Sequence, residues 1–398
     1  MNLDIINVML WSRYRRLRWC LLTVVLCLAG CAGARPETVD VLKIGVLAPL
    51  SGDFEPLGQR VRDAVLLAVE TQNGAGGVLG RQVQVVLEDT QCDYFGGREA
   101  AQAAIEEGAR FLIGAVCAEA SEGVAQVATE AGALQVSPAA LDLDLTLDGN
   151  GDVRDLVYRV PVPDVMQGAV AAAFAGERLG AERAGILYPE EGDYGRTLAE
   201  AFRTAFEDAG GEVVTRQAYD QDAELFFEVL EAVRDESPDI LYLPGYHTVM
   251  NRLVAQARQF GLLQPIVGSD GWHSGSLDRV VTDGCYFTTQ YFAGEPRALV
   301  QNWVRLYEAR YLSPPDALAT MSFDAANLMF QAIETAGFLE PTLVAQALGD
   351  LTYEGVSGTI TFDAAHNPTK PLLVLRVDPA GFIFQGRFAP GQDDPPDE

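Results

Sequence analysis

VLKIGVLAPLSGDFEPLG, residues 41–58, decides the fold. Val41, Ile44, Val46 and Leu47 make a short apolar run without polar alternation, the pattern of a strand buried on both faces of a parallel sheet. Pro49, Ser51, Gly52 and Pro56 end the run. From about Pro56 to Asn73, Leu57, Val61, Ala64, Val65 and Ala68 recur on one helical face, and a proline is tolerated in a first helical turn. Strand, turn and helix in that order place a ligand cleft outside the carboxyl end of the strand, over Leu50–Leu57.

The alternation continues outward. Strands are predicted at 82–88, 110–114, 133–136, 184–188, 212–217, 239–243, 265–268 and 284–290. Helices are predicted at about 96–107, 119–131, 164–179, 194–209, 222–235, 247–260, 296–311, 315–336 and 341–348. Repeated strand–helix units specify a doubly wound α/β fold. A turn-rich segment, 139–155, interrupts the series. Strands near 357–361, 371–377 and 382–387 close it, the last two joined at Pro379-Ala380-Gly381 as an antiparallel hairpin. Residues 389–398 form a Pro/Asp-rich tail expected to be disordered.

Residues 1–30 read as a secretory signal: Arg13, Arg15, Arg16 and Arg18 precede an apolar run from Trp19 to Leu28. The run is shorter than the roughly 20 apolar residues of a membrane span. Leu28-Ala29-Gly30-Cys31 resembles the bacterial lipobox, which makes Cys31 the expected lipidation site and 31–40 a linker. The expected location is extracytoplasmic, on a lipid anchor at a bacterial membrane. Net charge is −28, and removal of the basic leader makes it more negative. Such a charge excludes nucleic acid and anionic membrane surfaces as partners, and favours solubility. The roughly 370 residues beyond the leader exceed what one core supports, so two domains are expected.

Cys92 and Cys117 each follow a predicted strand of the same sheet, so a disulfide between them is geometrically plausible in an oxidising compartment. Closing that loop is worth about 3.5 kcal/mol in the chain-entropy picture. Cys285, inside an apolar strand, reads as a buried free thiol.

Enzyme chemistry finds little support. Gly74-Ala75-Gly76-Gly77-Val78-Leu79-Gly80 lies after a helix and before a strand, the wrong side for a dinucleotide site. Asp148-Gly149-Asn150-Gly151-Asp152 has the oxygen alternation of a calcium loop, but Val153 and Arg159 occupy its glycine and glutamate positions, so an Asx-rich turn is expected. His247, Asp270 and His273 are the one possible metal constellation, which would suit a secreted hydrolase. No metal and no cofactor is expected.

Taken in order, KIGVLAPLSG, NGAGGVLGRQVQVVLEDTQCD, LIGAVC, LQVSPAA, YRVPVPDVMQG, ILYPEEGDYG, LYLPGY and SDGW carry a family resemblance over roughly 41–388. The sequence resembles the extracytoplasmic solute-binding proteins of the leucine/isoleucine/valine type that feed ABC importers. That resemblance implies a periplasmic binding protein type 1 fold, with two doubly wound Rossmann-like lobes joined by a three-segment hinge that closes on the ligand. Lobe 1 would comprise 41–159 and 289–362, and lobe 2 would comprise 160–288 and 363–388. The crossings would lie near Tyr158–Pro161, Thr288–Phe292 and Thr361–Ala364. The family also commonly pairs cysteines at positions matching Cys92 and Cys117.

The resemblance further implies a ligand site. Asp270 stands where the family pairs an acidic residue with the ligand ammonium, Tyr246 flanks the amino group, and Tyr194 matches an aromatic that closes over the ligand. Ala118 and Leu141 stand where amino-acid-binding members carry hydroxyls for the carboxylate. Ser121, Ser137 and backbone N–H groups are the remaining possible donors. A buried carboxylate without charge-assisted donors loses much of its binding energy. With Leu57 and Trp272 as apolar walls, the cleft suits an amine, an amide or an organic cation at least as well as a zwitterion; Trp272 reads equally as a core residue. The expected protein is a non-enzymatic, lipid-anchored monomer delivering an amino-acid-like, amide or amine solute to an ABC permease. A sensory protein of the same fold is the alternative.

Overall fold

A computed structural model describes residues 41–389. The signal segment, Cys31, the linker and the tail from Pro390 lie outside the described residues. The first sheet holds β1 (Val41–Ala48), β2 (Gln82–Asp89), β3 (Phe111–Gly114), β4 (Leu134–Ser137) and β5 (Val157–Arg159), all parallel, in the order β2-β1-β3-β4-β5. Their helices are α1 (Glu55–Gly74), α2 (Tyr94–Glu106) and α3 (Ala118–Ala131). The opening stretch behaves as its composition requires. Ile44 and Val46 pack on one face against Val61 and Val65 of α1, while Leu47 packs on the other with Ala104 and Val124. Both faces of β1 are dry, so no alternation survives in its sequence.

The second sheet has seven strands, in the order β15-β14-β10-β9-β8-β6-β7. These are β6 (Arg183–Pro189), β7 (Glu212–Tyr219), β8 (Ile240–Leu243), β9 (Ile266–Gly268), β10 (Tyr286–Thr289), β14 (Leu372–Asp378) and β15 (Gly381–Phe388). The first five run parallel; β14 and β15 are antiparallel and form the expected hairpin, with Asp378 opposite Gly381. Helices α4 (Asp164–Ala173, extended by a π turn to Arg178) and α5 (Tyr194–Asp208) cover one face, while α6 (Phe227–Glu236) and α7 (His247–Gln259) cover the other.

After β10 the chain returns to the first sheet as α8 (Ala298–Tyr311), α9 (Ala317–Ala336) and α10 (Pro341–Gly349), with Met329 and Ile333 of α9 packed against α1. A small antiparallel sheet, β11 (Tyr353–Glu354), β12 (Thr359–Phe362) and β13 (Pro368–Thr369), precedes the last passage to β14. The chain thus passes between the two large sheets three times. Two passages are stitched by a side chain: buried Gln290 accepts from Val162 N at 2.7 Å and its Nε2 lies 3.3 Å from Val162 O.

Two features depart from the sequence reading. The helix expected from 222 begins only at Phe227, because Asp220 folds back on the Asp222 N–H and the Phe226 N–H donates to Gln256. β5, β11 and β13 are two or three residues long and carry too little pattern to be read. The cysteines follow the reading: Cys92 and Cys117 are bonded, with Cα atoms 5.3 Å apart, and Cys285 is a buried free thiol. Among the described residues no helix is long and apolar enough to cross a membrane.

Candidate functional site

Parallel pairing makes the site. β9, β8 and β6 are neighbours, so their carboxyl ends bring Asp270, Tyr246 and Tyr194 side by side, each on the first turn after its strand. Tyr194 and Tyr246 stack with centroids 4.8 Å apart. Tyr194 Oη donates to Asp270 Oδ1, accepts from the Gly271 N–H at 3.0 Å and lies 3.0 Å from Ser269 Oγ. Ser269 is itself fixed by the Gly245 N–H at 3.1 Å. Burial raises the Asp270 carboxyl above its ordinary range, against the hydrogen bonds from Tyr194, Gln167 and Gly271 that favour its charge.

Asp164 and Gln167, at the start of α4, complete this wall and were not singled out in the sequence. Gln167 Nε2 donates to Asp164 Oδ1 at 3.0 Å, and the Gln167 side chain also bonds Asp270. One amide therefore bridges two carboxylates. Burial, then Asp270, then Asp142 push the Asp164 carboxyl up to about 7. The signal was present in YRVPVPDVMQG, a stretch that contributed to the resemblance without any chemistry assigned to it.

The facing wall comes from the first sheet. Ala118 is exposed at the start of α3, and Leu141 is half-buried on the loop after β4. Neither substitute hydroxyl is available. Ser137 is fully buried and its Oγ closes its own turn, 3.1 Å from Ala140 N, while Ser121 is fully buried within α3. The unpaired first N–H groups of α3 are what remains for an anion, beside the carboxylates of Glu119, Asp142 and Asp144 around a cavity of about 280 Å³. Arg159, fully buried at the end of β5, holds this loop by donating to the carbonyls of Ala140 and Leu143 at 3.3 and 3.1 Å. Leu57 is half-buried on the first turns of α1.

Trp272 is not a cleft residue. It is fully buried in the core of the second sheet, its Nε1 donates to Leu243 O at 3.1 Å, and its ring covers Gly268. His247, Asp270 and His273 do not gather around a metal: among the described residues no such cluster occurs. His273 Nδ1 is 3.0 Å from Thr289 Oγ1, and its ring sits among Phe287, Phe292 and Phe382, where burial pushes its pKa down to about 4. Asp148 spends its Oδ1 on the Asn150 and Asp152 N–H groups, an Asx turn.

A larger cavity, about 470 Å³, opens from Asp270 toward the passage after β10 and the start of α9, lined by Phe292, Pro314, Pro315, Leu318 and Met321. Such a space, concave and mostly apolar with Asp270 and Asp316 on its lining, has the character of small-molecule sites in general.

The comparisons give the family. A leucine-, isoleucine-, valine-, threonine- and alanine-binding protein of Pseudomonas aeruginosa is 27% identical over 329 residues, 81% of this chain and 86% of the relative. Among solved structures, a putative branched-chain amino acid ABC transporter from Rhodospirillum rubrum superposes with a TM-score of 0.80 at 26% identity, covering 87% of this chain and 100% of that one. A leucine-binding protein from Thermotoga maritima gives 0.68 at 29% identity, covering 88% and 99%. The family model for periplasmic binding proteins matches residues 41–382. With two wound sheets, three passages between them and a cleft at the strand ends, the chain belongs to the periplasmic binding protein family.

Proposed function

We propose that the protein is the solute receptor of an ABC importer, capturing a small amino-acid-like, amide or amine solute between its two sheets and delivering it to a permease. The observation that carries the reading is the convergence of Asp270, Tyr246 and Tyr194 at three adjacent strand ends. In this reading Asp270 holds the ammonium, Tyr194 orients Asp270, and Tyr246, half-exposed, covers the solute. Leu57, Ala118 and Leu141 contact its far side. No bond in the solute is made or broken.

The lobes move as bodies about the three passages; the pairing of β13 with β12 carries the first lobe past the expected boundary at 362 to about Thr369, so we take them as 41–159 with 289–369 and 160–288 with 370–388. A lipid at Cys31 tethers the monomer to the membrane that carries the permease. The relatives named for branched-chain amino acids support transport as the role. They support leucine itself less well, because the hydroxyl donors for a carboxylate are replaced by Ala118 and Leu141. A thermal-shift panel of amino acids, amides, polyamines and quaternary amines tests the reading, since a ligand binding only the folded state raises the melting temperature by mass action. At least one amine or amino acid should give a saturable rise; a flat response across the panel contradicts it.

A further inference from the structure

We propose that the solute is an amphiphilic organic monocation without a carboxylate, its ammonium between Asp164 and Asp270 and its apolar body in the 470 Å³ cavity. The inference narrows the receptor reading and rests on it.

Charge comes first. Asp164 and Asp270 share Gln167, and Gln167 Oε1, in a fully buried side chain, has no donor among the described residues. The ionisable groups set around the pair are Asp142 from the opposite wall and Tyr194, Tyr242 and Tyr246 from their own sheet. Arg159 is turned to backbone carbonyls behind the Asp142 loop. Two carboxylates so placed resist joint ionisation, and a cation between them removes that resistance. The proton held by the pair then leaves as the ammonium enters.

Shape and the far wall give the rest. The acidic wall beside Ala118 repels a carboxylate, and both nearby hydroxyls are buried. The hinge-side cavity exceeds what a branched aliphatic side chain fills, and sites of roughly 300–1,000 Å³ bury drug-sized ligands. Its histidine, His273, stays uncharged at neutral pH, so it does not repel a cation. Asp316 at its rim already has Arg60 at 2.6 Å. The cavity therefore accepts an apolar body, and aromatic bodies gain from Phe292.

Calorimetric titration of the detergent-solubilised full-length protein tests this with 2-phenylethylamine, phenylalanine, 3-phenylpropionate and ethylamine. Phenylethylamine should bind at least tenfold tighter than phenylalanine, and phenylpropionate should not bind. With Asp164 titrating near 7, affinity should fall about tenfold from pH 8 to pH 6, and close to one proton per ligand should leave at pH 6. Asp164→Asn should abolish that proton release. Ala293 also lines the cavity, and Ala293→Leu, which narrows it, should weaken phenylethylamine at least tenfold more than ethylamine. Tighter binding of phenylalanine than of the amine overturns the proposal while leaving the receptor reading in place. Binding of none of these probes overturns it too, and the broader panel above then decides the receptor reading separately.

Discussion

In the proposed function Asp270 is the residue on which recognition turns, and its partners set its reach. Tyr194→Phe deletes the hydroxyl that donates to Asp270 and accepts from Gly271. Solute affinity should drop about tenfold, the usual worth of a hydrogen bond to a charged group, read by titration. Asp164 makes a second prediction, with a definite sign. Its carboxyl titrates near 7 in the folded protein and near its ordinary 3.8 in the unfolded chain. Between those values the folded state binds the extra proton, so this group's contribution to stability is lost as pH rises from about 4 to 7. Asp164→Asn should therefore raise the melting temperature at pH 8 and change it little at pH 4. Gly268 lies under Trp272, where a Cβ would stand 2.3 Å from the ring. Gly268→Ala should cost about 1–3 kcal/mol in denaturant unfolding, the ordinary range for overpacking. The same contact shows why Trp272 misleads in the sequence. A tryptophan two residues after Asp270 reads as a cleft wall, and only the bare Gly268 beneath it tells that it lies flat on the strand end. Asp164 hides for the opposite reason: an aspartate at the start of a helix reads as a capping residue, and its company becomes visible only once α4 is packed beside β9.

Among the elements, the parallel strands were legible because burial on both faces leaves continuous aliphatic runs, as in β1 and in FLIG of β3. The boundary of α6 was not, since the acidic and aromatic residues 222–226 suit a helix and the Asp220 turn overrides them. β5, three residues just past the turn-rich stretch, was too short to be read, although its Arg159 anchors the loop carrying Asp142. The passages between the sheets were legible only as places where the pattern lapses. Gln290→Ala would leave the Val162 N–H without its partner. We expect about 1–3 kcal/mol of destabilisation, the cost of an unmet buried group, and faster amide exchange at Val162. Reduction of Cys92–Cys117 should cost up to about 3.5 kcal/mol, because the bridge closes a separation of 25 residues. The loss should appear as a lower melting temperature in reductant.

For the whole molecule, the proposed function has the strand tips of the two sheets closing on a solute across a gap that three segments cross. The second sheet supplies charge and aromatic surface through Asp270, Asp164, Tyr194 and Tyr246; the first supplies the wall of Ala118 and Leu141. A solute that touches both walls favours the arrangement in which they meet. Scattering should accordingly show a smaller radius of gyration with saturating solute than without it. The most direct measurement is a side-by-side titration of the native protein and Asp270→Ala with whichever solute stabilises the native fold. The account predicts at least a hundredfold loss of affinity in the variant, since a desolvated charge pair loses a partner; an unchanged dissociation constant would contradict it.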